Sequence, residues 1–195
     1  GQVGAAMLGT DAFQEVDVVG VTQPISKWNY QIRRAEDIPW AVARAFYIAR
    51  SGRPGPVVLD FAKNAQTAMI EYAPQTVDFI RSYNPVPETQ PGSIEMAAEL
   101  INQSVKPLML VGQGVELAGA RQELLALCEK AQIPFGQTML GLSAAPTGHP
   151  LNMGMLGMHG NLAPNVMTNQ CDLLIAVGMR FDDRVTGDLH TYAKQ

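Results

Sequence analysis

Two arginines and two aspartates crowd into the ten residues Gly178-Met179-Arg180-Phe181-Asp182-Asp183-Arg184-Val185-Thr186-Gly187. They follow an apolar run, Leu173 to Val177, that reads as a buried strand. In open α/β sheets ligands bind just past the carboxyl ends of strands, where loops and helix N-termini offer free N–H groups. Arg180 and Arg184 have the chemistry to hold phosphate, and Asp182 and Asp183 to accept from sugar hydroxyls or to orient the arginines. The plainer alternative is a surface turn whose charges pair with one another.

Other short patterns have related chemistry. Gly112-Gln113-Gly114 follows the apolar strand Pro107–Val111, where missing side chains would let backbone approach a phosphate. It is not a full dinucleotide fingerprint, because Gly119 comes too late and no acidic residue closes the next strand. Gly154-Met155-Leu156-Gly157-Met158-His159-Gly160 combines bare backbone with adaptable methionine surface, which suits a flat aromatic ligand. It reads equally as a glycine-rich strand with His159 a satisfied core histidine. Thr138-Met139-Leu140-Gly141 ends another apolar run. In a parallel sheet the ends at Gly112, Thr138 and Gly178 converge on one crevice. Gly9-Thr10-Asp11-Ala12-Phe13-Gln14-Glu15 contains neither a triad nor a carboxylate pair. Arg53 and Lys63 flank a strand and could each meet an anion, or serve as surface charges.

The elements that must position these groups follow from periodicity. Val16 to Thr22 reads as a short strand or strand-like loop. Glu36-Asp37-Ile38-Pro39 opens a helix, with Ile38, Val42, Ala45, Phe46 and Ala49 at helical spacing. Ser51-Gly52-Arg53-Pro54-Gly55-Pro56 ends it, and Val57–Phe61 is a strand. Tyr83 to Gly92 holds four prolines or glycines, so residues 81–92 read as a linker. Beyond it Ile94, Ala97, Ala98, Ile101 and Val105 line one helical face. A helix is expected from about Leu117 to Ala131, and strands at 133–138 and 172–177. Alternating strands and helices predict an α/β fold with a doubly wound, mostly parallel sheet.

With 195 residues, 47% hydrophobic and 16% charged, the chain can build a proper core. A net charge of −4 without a basic stripe argues against nucleic acid, and no apolar run approaches membrane length. Cys128, Cys171 and the three histidines lack metal-ligand spacing, so reduced core cysteines and no metal site are expected. The first residues carry neither an initiator methionine nor a signal peptide, and the chain stops soon after a motif, which reads as a fragment of a longer polypeptide.

GTDAFQE (9–15), SGRPGPV (51–57), Lys63, GMLGMHG (154–160) and RFDDRVTG (180–187) stand in an order and spacing that resemble the acetolactate synthase (acetohydroxyacid synthase) catalytic subunit. The resemblance implies a thiamine-diphosphate enzyme of three α/β domains. Residues 1–80 would be the C-terminal part of the pyrimidine-binding domain, and 93–195 most of a DHS-like, FAD-binding central domain. The family's catalytic glutamate would lie before Gly1 and its diphosphate and Mg2+ motif after Gln195, leaving this piece inactive by itself. The implied reaction decarboxylates pyruvate and condenses the two-carbon unit with a second pyruvate or 2-oxobutyrate, in branched-chain amino acid biosynthesis. FAD would have no net redox role.

By the same resemblance Phe13 and Gln14 are active-site residues, and Lys63 lies at the substrate channel. Arg53, Gly112, Gln113, Gly114, Thr138, Met139, Leu140, Leu156, Gly157, Met158, His159, Gly178, Met179, Arg180, Asp182 and Val185 contact FAD. A homodimer or homotetramer, a regulatory small subunit and a cytoplasmic location are also implied. The sequence departs from the family at Gly4, where proline is usual, at Phe61-Ala62-Lys63-Asn64, and at Gln113, where glycine is common. A sibling carboligase such as glyoxylate carboligase, a nucleotide-binding module without chemistry, and a structural domain are the competing readings.

Overall fold

The computed structural model describes residues 1–194. The chain divides into two compact units, Gly1–Thr89 and the residues from Gln90 onward, a division inside the stretch read as linker.

In the first unit β1 (Trp28–Ile32) and β2 (Val57–Phe61) pair in parallel, Trp28 opposite Val57 and Ile32 opposite Phe61. β1 was not expected. Its alternation puts Trp28, Tyr30 and Ile32 on one face and Asn29 and Gln31 on the other. The polar face is used: Asn29 Nδ2 donates to Val19 O at 2.7 Å and to Thr22 Oγ1 at 3.0 Å. Those acceptors lie on α1 (Val18–Thr22), a helix where a strand or strand-like loop was expected. Asp17 caps it by accepting from Gly20 N, and that cap with the docking by Asn29 outweighs the β preference of valine.

α2 (Ile38–Arg50) begins with the expected proline near its N-terminus. Its buried stripe is Ala41, Ala45 and Ile48, and Phe46 is 64% exposed. The expected face holds at Ala45 and at Ile38, which packs against the core, and fails at Phe46: small alanines line the stripe, and the large aromatic turns outward. Ile32, Ala41 and Ala65, the last on α3 (Lys63–Thr67), form the core with Tyr30, Leu59 and Phe61 around them. Lys27 Nζ caps the carboxyl end of α2 through Ile48 O and Ser51 O, and meets the Tyr83 hydroxyl at 3.1 Å. Tyr83, in the supposed linker, is thus fastened to this unit. Its hydroxyl pKa is lowered, first by the Ser51 hydrogen bond and then by Lys27, against the raising effect of burial.

The second unit is a four-stranded sheet, all parallel, in the order β5-β4-β3-β6: β3 (Pro107–Val111), β4 (Phe135–Gln137), β5 (Asn152–Met155) and β6 (Leu173–Val177). β3 is central, and Leu108 to Val111 are fully buried. Met109 and Val111 face one core with Leu124, Cys128, Ile133 and Phe135. Leu108 and Leu110 face the other with Leu156 and Cys171. Two cores on two faces are the doubly wound arrangement that the alternation predicted.

Two expectations are corrected in this unit. The helix placed from Leu117 to Ala131 is two helices, α5 (Gly114–Leu117) and α6 (Arg121–Ala131), separated where Gly119 adopts φ +67°. β5 overlaps the start of the glycine-rich segment, in line with the strand reading of that segment. On α4 (Ser93–Gln103) only Ile101 packs against the core, while Ile94, Ala97, Ala98 and also Val105 beyond it are exposed. Helical spacing reveals an apolar face but not what covers it.

Candidate cofactor site

From β3 the chain steps outward to β4 and β5, then crosses back to place β6 on the other side of β3. The switch point therefore lies between the carboxyl ends of β3 and β6, where Gly112, Gly114 and Gly178 stand. A ligand crevice is expected at such a point.

The glycines there do something other than first expected. Gly112 N donates to Val177 O and Gly114 N to Gly178 O, each at 2.9 Å. A Cβ on Gly112 would lie 2.3 Å from Gly178 O, and one on Gly114 2.5 Å from Gly178 Cα. The two loops interlock, backbone against backbone, and two of the N–H groups envisaged for phosphate are already engaged. The N–H groups of Gln113, Met179 and Arg180 have no acceptor among the described residues.

The other two strand ends join the same edge. Thr138 N donates to Val111 O, and Thr138 Oγ1 accepts from Gly141 N at 3.1 Å, capping a turn that leaves Met139 and Leu140 exposed. Buried Gln137 braces that turn: its Nε2 donates to Gly141 O, and its Oε1 accepts from Asn152 Nδ2, both at 2.9 Å. Gly154 within β5 and Gly157 just after it adopt φ +93° and +96°. Asn165, on α7 (Leu162–Thr168), accepts from Gly157 N at 2.8 Å and donates to Gly157 O at 2.9 Å. Asn161 Oδ1 accepts from Met155 N. Met158 N then donates to Arg184 O at 2.8 Å.

α8 (Asp183–Thr186) completes the edge, capped by Asp182 through Arg184 N. Asp182 also lies 3.3 Å from Arg180, so this aspartate orients an arginine. Arg184 likewise lies 3.9 Å from Asp183, and both arginines are largely exposed, so the plainer reading of a surface turn with paired charges also fits this segment.

The candidates thus separate into two sets. Met139, Leu140, Met158, His159 and Arg180 present side chains to solvent at this edge. His159 is not a core histidine. Leu156 is buried in the second core, so at most its backbone faces a ligand, while Met179 and Val185 are half-buried against that core. Asn161, Asn165 and Gln137 were missed. The one signal was the Asn161-x-x-x-Asn165 spacing, which puts two amides on one side of a helix start.

In the first unit, Arg53 precedes β2 and Lys63 follows it, so they occupy opposite strand ends, roughly 16 Å apart along five residues. Gln2 N donates to Phe61 O, and Gln2 Nε2 donates to Val16 O at 2.5 Å. The segment ending the 9–15 turn is thereby tied to the carboxyl end that also bears Lys63. Phe13 is 89% exposed, and Gln14 has φ +65°. Glu15, not singled out beforehand, accepts from Gly9 N and from Ala12 N, and these bonds hold its carboxyl below the usual range.

Cys128 and Cys171 are free and buried. Burial, with Glu129 adding to it, pushes the Cys128 thiol up to about 11, and burial raises Cys171 too. Among the described residues no helix is long and apolar enough to cross a membrane.

Parallel strands, helices on both faces and a switch point under interlocking loops define an open, doubly wound α/β protein, a class that binds ligands at the carboxyl edge of its sheet. Residues 94–195 match the family described as thiamine pyrophosphate enzyme, central domain. The chain belongs to that family. It is 46% identical over 194 residues to the acetolactate synthase large subunit of Corynebacterium glutamicum, covering 99% of this chain and 31% of the relative. It is also 46% identical over 187 residues to the acetolactate synthase isozyme 1 large subunit of Escherichia coli, covering 96% and 33%. An X-ray structure of a thiamin diphosphate-dependent enzyme from Mycobacterium smegmatis aligns with a TM-score of 0.74 at 26% identity, covering 95% of this chain and 35% of that one. The chain thus spans about a third of the length of the relatives it matches.

Proposed function

We propose that this chain is part of an acetolactate synthase catalytic subunit, and that the carboxyl edge of its second sheet holds FAD. The observation that carries the flavin reading is the mixed surface at that edge. Exposed Met139, Leu140 and Met158 offer an apolar bed for a flat ring system. Exposed Arg180 and the unengaged N–H groups of Gln113, Met179 and Arg180 offer charge and donors for phosphate oxygens. The residues present therefore fit a dinucleotide that carries both. Asp182 and Asn165 act indirectly, one orienting Arg180 and the other fixing the Gly157 turn.

In the whole subunit, thiamine diphosphate with Mg2+ supplies the decarboxylation and carbon–carbon bond chemistry. Phe13, Gln14 and Lys63 contribute by binding and orienting pyruvate and the second 2-oxo acid. The same reading extends to a homodimer or homotetramer, a regulatory small subunit and a cytoplasmic setting. Its support is the large-subunit relatives at 46% identity.

The test uses the full-length subunit with pyruvate, thiamine diphosphate, Mg2+ and FAD. The expected product is 2-acetolactate, with flavin retained through gel filtration and a raised melting temperature when FAD is present. Activity with glyoxylate in place of pyruvate, or a folded subunit that retains no flavin, would overturn the corresponding half of the proposal.

A further inference from the structure

Within seven residues the 9–15 turn contains three left-handed backbone positions: Gly9 at φ +81°, Asp11 at +58° and Gln14 at +65°. Two of these are not glycine, so the conformation must be imposed. It also leaves Phe13 standing in solvent. The group that imposes it is the Glu15 side chain, which folds back so that one carboxylate oxygen accepts from Gly9 N and the other from Ala12 N, the latter at 3.0 Å. Glu15 N donates to Ala12 O at 2.9 Å, closing the turn from the other side. Thr10 adds a hydroxyl bond to Met7 O at 2.7 Å.

We infer that Glu15 is a positioning residue: its carboxylate shapes the turn that presents Phe13 and Gln14 to the second 2-oxo acid. The inference rests on the proposed active-site role of Phe13 and Gln14. Both donors are backbone N–H groups, so the role needs two acceptor atoms. A carboxylate has them; a glutamine offers one acceptor and turns an NH2 group toward the other N–H. The lowered carboxyl pKa of Glu15 agrees with an anion held by those donors. Glu15 does not touch substrate in this scheme and acts only through the turn.

The test is E15Q in the full-length subunit, supplied with a fixed mixture of pyruvate and 2-oxobutyrate. The readout is the ratio of 2-aceto-2-hydroxybutyrate to 2-acetolactate formed. That ratio is set at each turnover, so a smaller folded fraction cannot move it. F13A and Q14A are measured alongside, and E15A replaces E15Q if the latter does not fold. The expected result is a change in ratio of several-fold in E15Q, in the same direction as Q14A. If F13A and Q14A shift the ratio but E15Q does not, the positioning role is wrong and the active-site reading stands. If F13A and Q14A leave the ratio unchanged, that reading fails and the inference falls with it.

Discussion

Replacing Asn165 tests whether the Gly157 turn is held by a single amide. Asn165 binds both backbone groups of Gly157, at 2.8 and 2.9 Å, and so stands in for a neighbouring strand. Gly157 itself is buried, and a Cβ there would come within 2.6 Å of Arg184 O. N165A removes two hydrogen bonds, each worth ~1 kcal/mol net, and leaves a buried donor and acceptor unpaired at a similar further cost. The local loss is about 2–4 kcal/mol, which corresponds to exchange of the Gly157 amide faster by roughly 30- to 1,000-fold. Hydrogen exchange read over residues 156–160 measures it directly. Both tryptophans, Trp28 and Trp40, lie in the first unit, so their fluorescence is a built-in control that should not change. N165D sharpens the test. At neutral pH the introduced carboxylate keeps the acceptor but sets an anionic oxygen against Gly157 O. That repulsion raises its folded pKa above the unfolded value of about 3.9, so the folded state binds the proton more tightly. Relative stability of N165D therefore rises as pH falls, because the protonated acid can donate as the amide did. Exchange in N165A within twofold of the parent, or a defect in N165D that grows on acidification, would refute the reasoning.

Three further outcomes are expected. G178A should destabilise the second unit severely, because a Cβ would lie 2.6 Å from Val115 N at φ +64°; an urea midpoint close to that of the parent would contradict the interlock. Asp172 accepts from the Ser104 hydroxyl and from the N–H groups of Val105 and Lys106, which lower its pKa. Its contribution is therefore present above the unfolded pKa and lost as pH falls through the folded one, so D172N should lack that part of the acid unfolding limb in a pH series. Cys128, buried with its thiol raised to about 11 and its Sγ 3.7 Å from Met109 Sδ, should resist alkylation in the folded protein; native labelling at the unfolded rate would contradict its burial.

Much of the second unit's sheet was legible because burial on two faces leaves a continuous apolar run, as in Pro107–Val111. The first unit was harder. β1 alternates Trp, Asn, Tyr, Gln and Ile, and its polar face becomes intelligible only once α1 is seen to dock on Asn29. α1 itself was concealed by valines, since a five-residue helix has little propensity to declare and depends on Asp17 and tertiary contact. The α5–α6 break was available in Gly119, but one glycine inside an apolar-periodic stretch does not distinguish a tolerated residue from a stop. Among site residues, convergence of Gly112, Thr138 and Gly178 followed from parallel topology alone. Asn165 and Glu15 did not, because their partners are backbone groups, and no residue type marks which N–H a side chain will reach.

The glycines carry the sharpest lesson about the site. Glycine after a strand was read as room for a ligand, yet at Gly112, Gly114 and Gly178 the space is occupied by the facing loop. These residues fix the separation of two strand ends, and their N–H groups at 112 and 114 close that contact. What faces outward is decided one residue away, at Gln113, Met179 and Arg180. Under the proposed reading a cofactor at this edge would meet the N–H groups of those three residues, with Arg180 supplying charge and Met139, Leu140 and Met158 supplying apolar surface. The interlock sets the geometry in which they meet. If the flavin proposal holds, R180A in the full-length subunit should lower flavin retention through gel filtration with the melting temperature of the flavin-free protein unchanged, whereas G112A and G114A should lower that melting temperature.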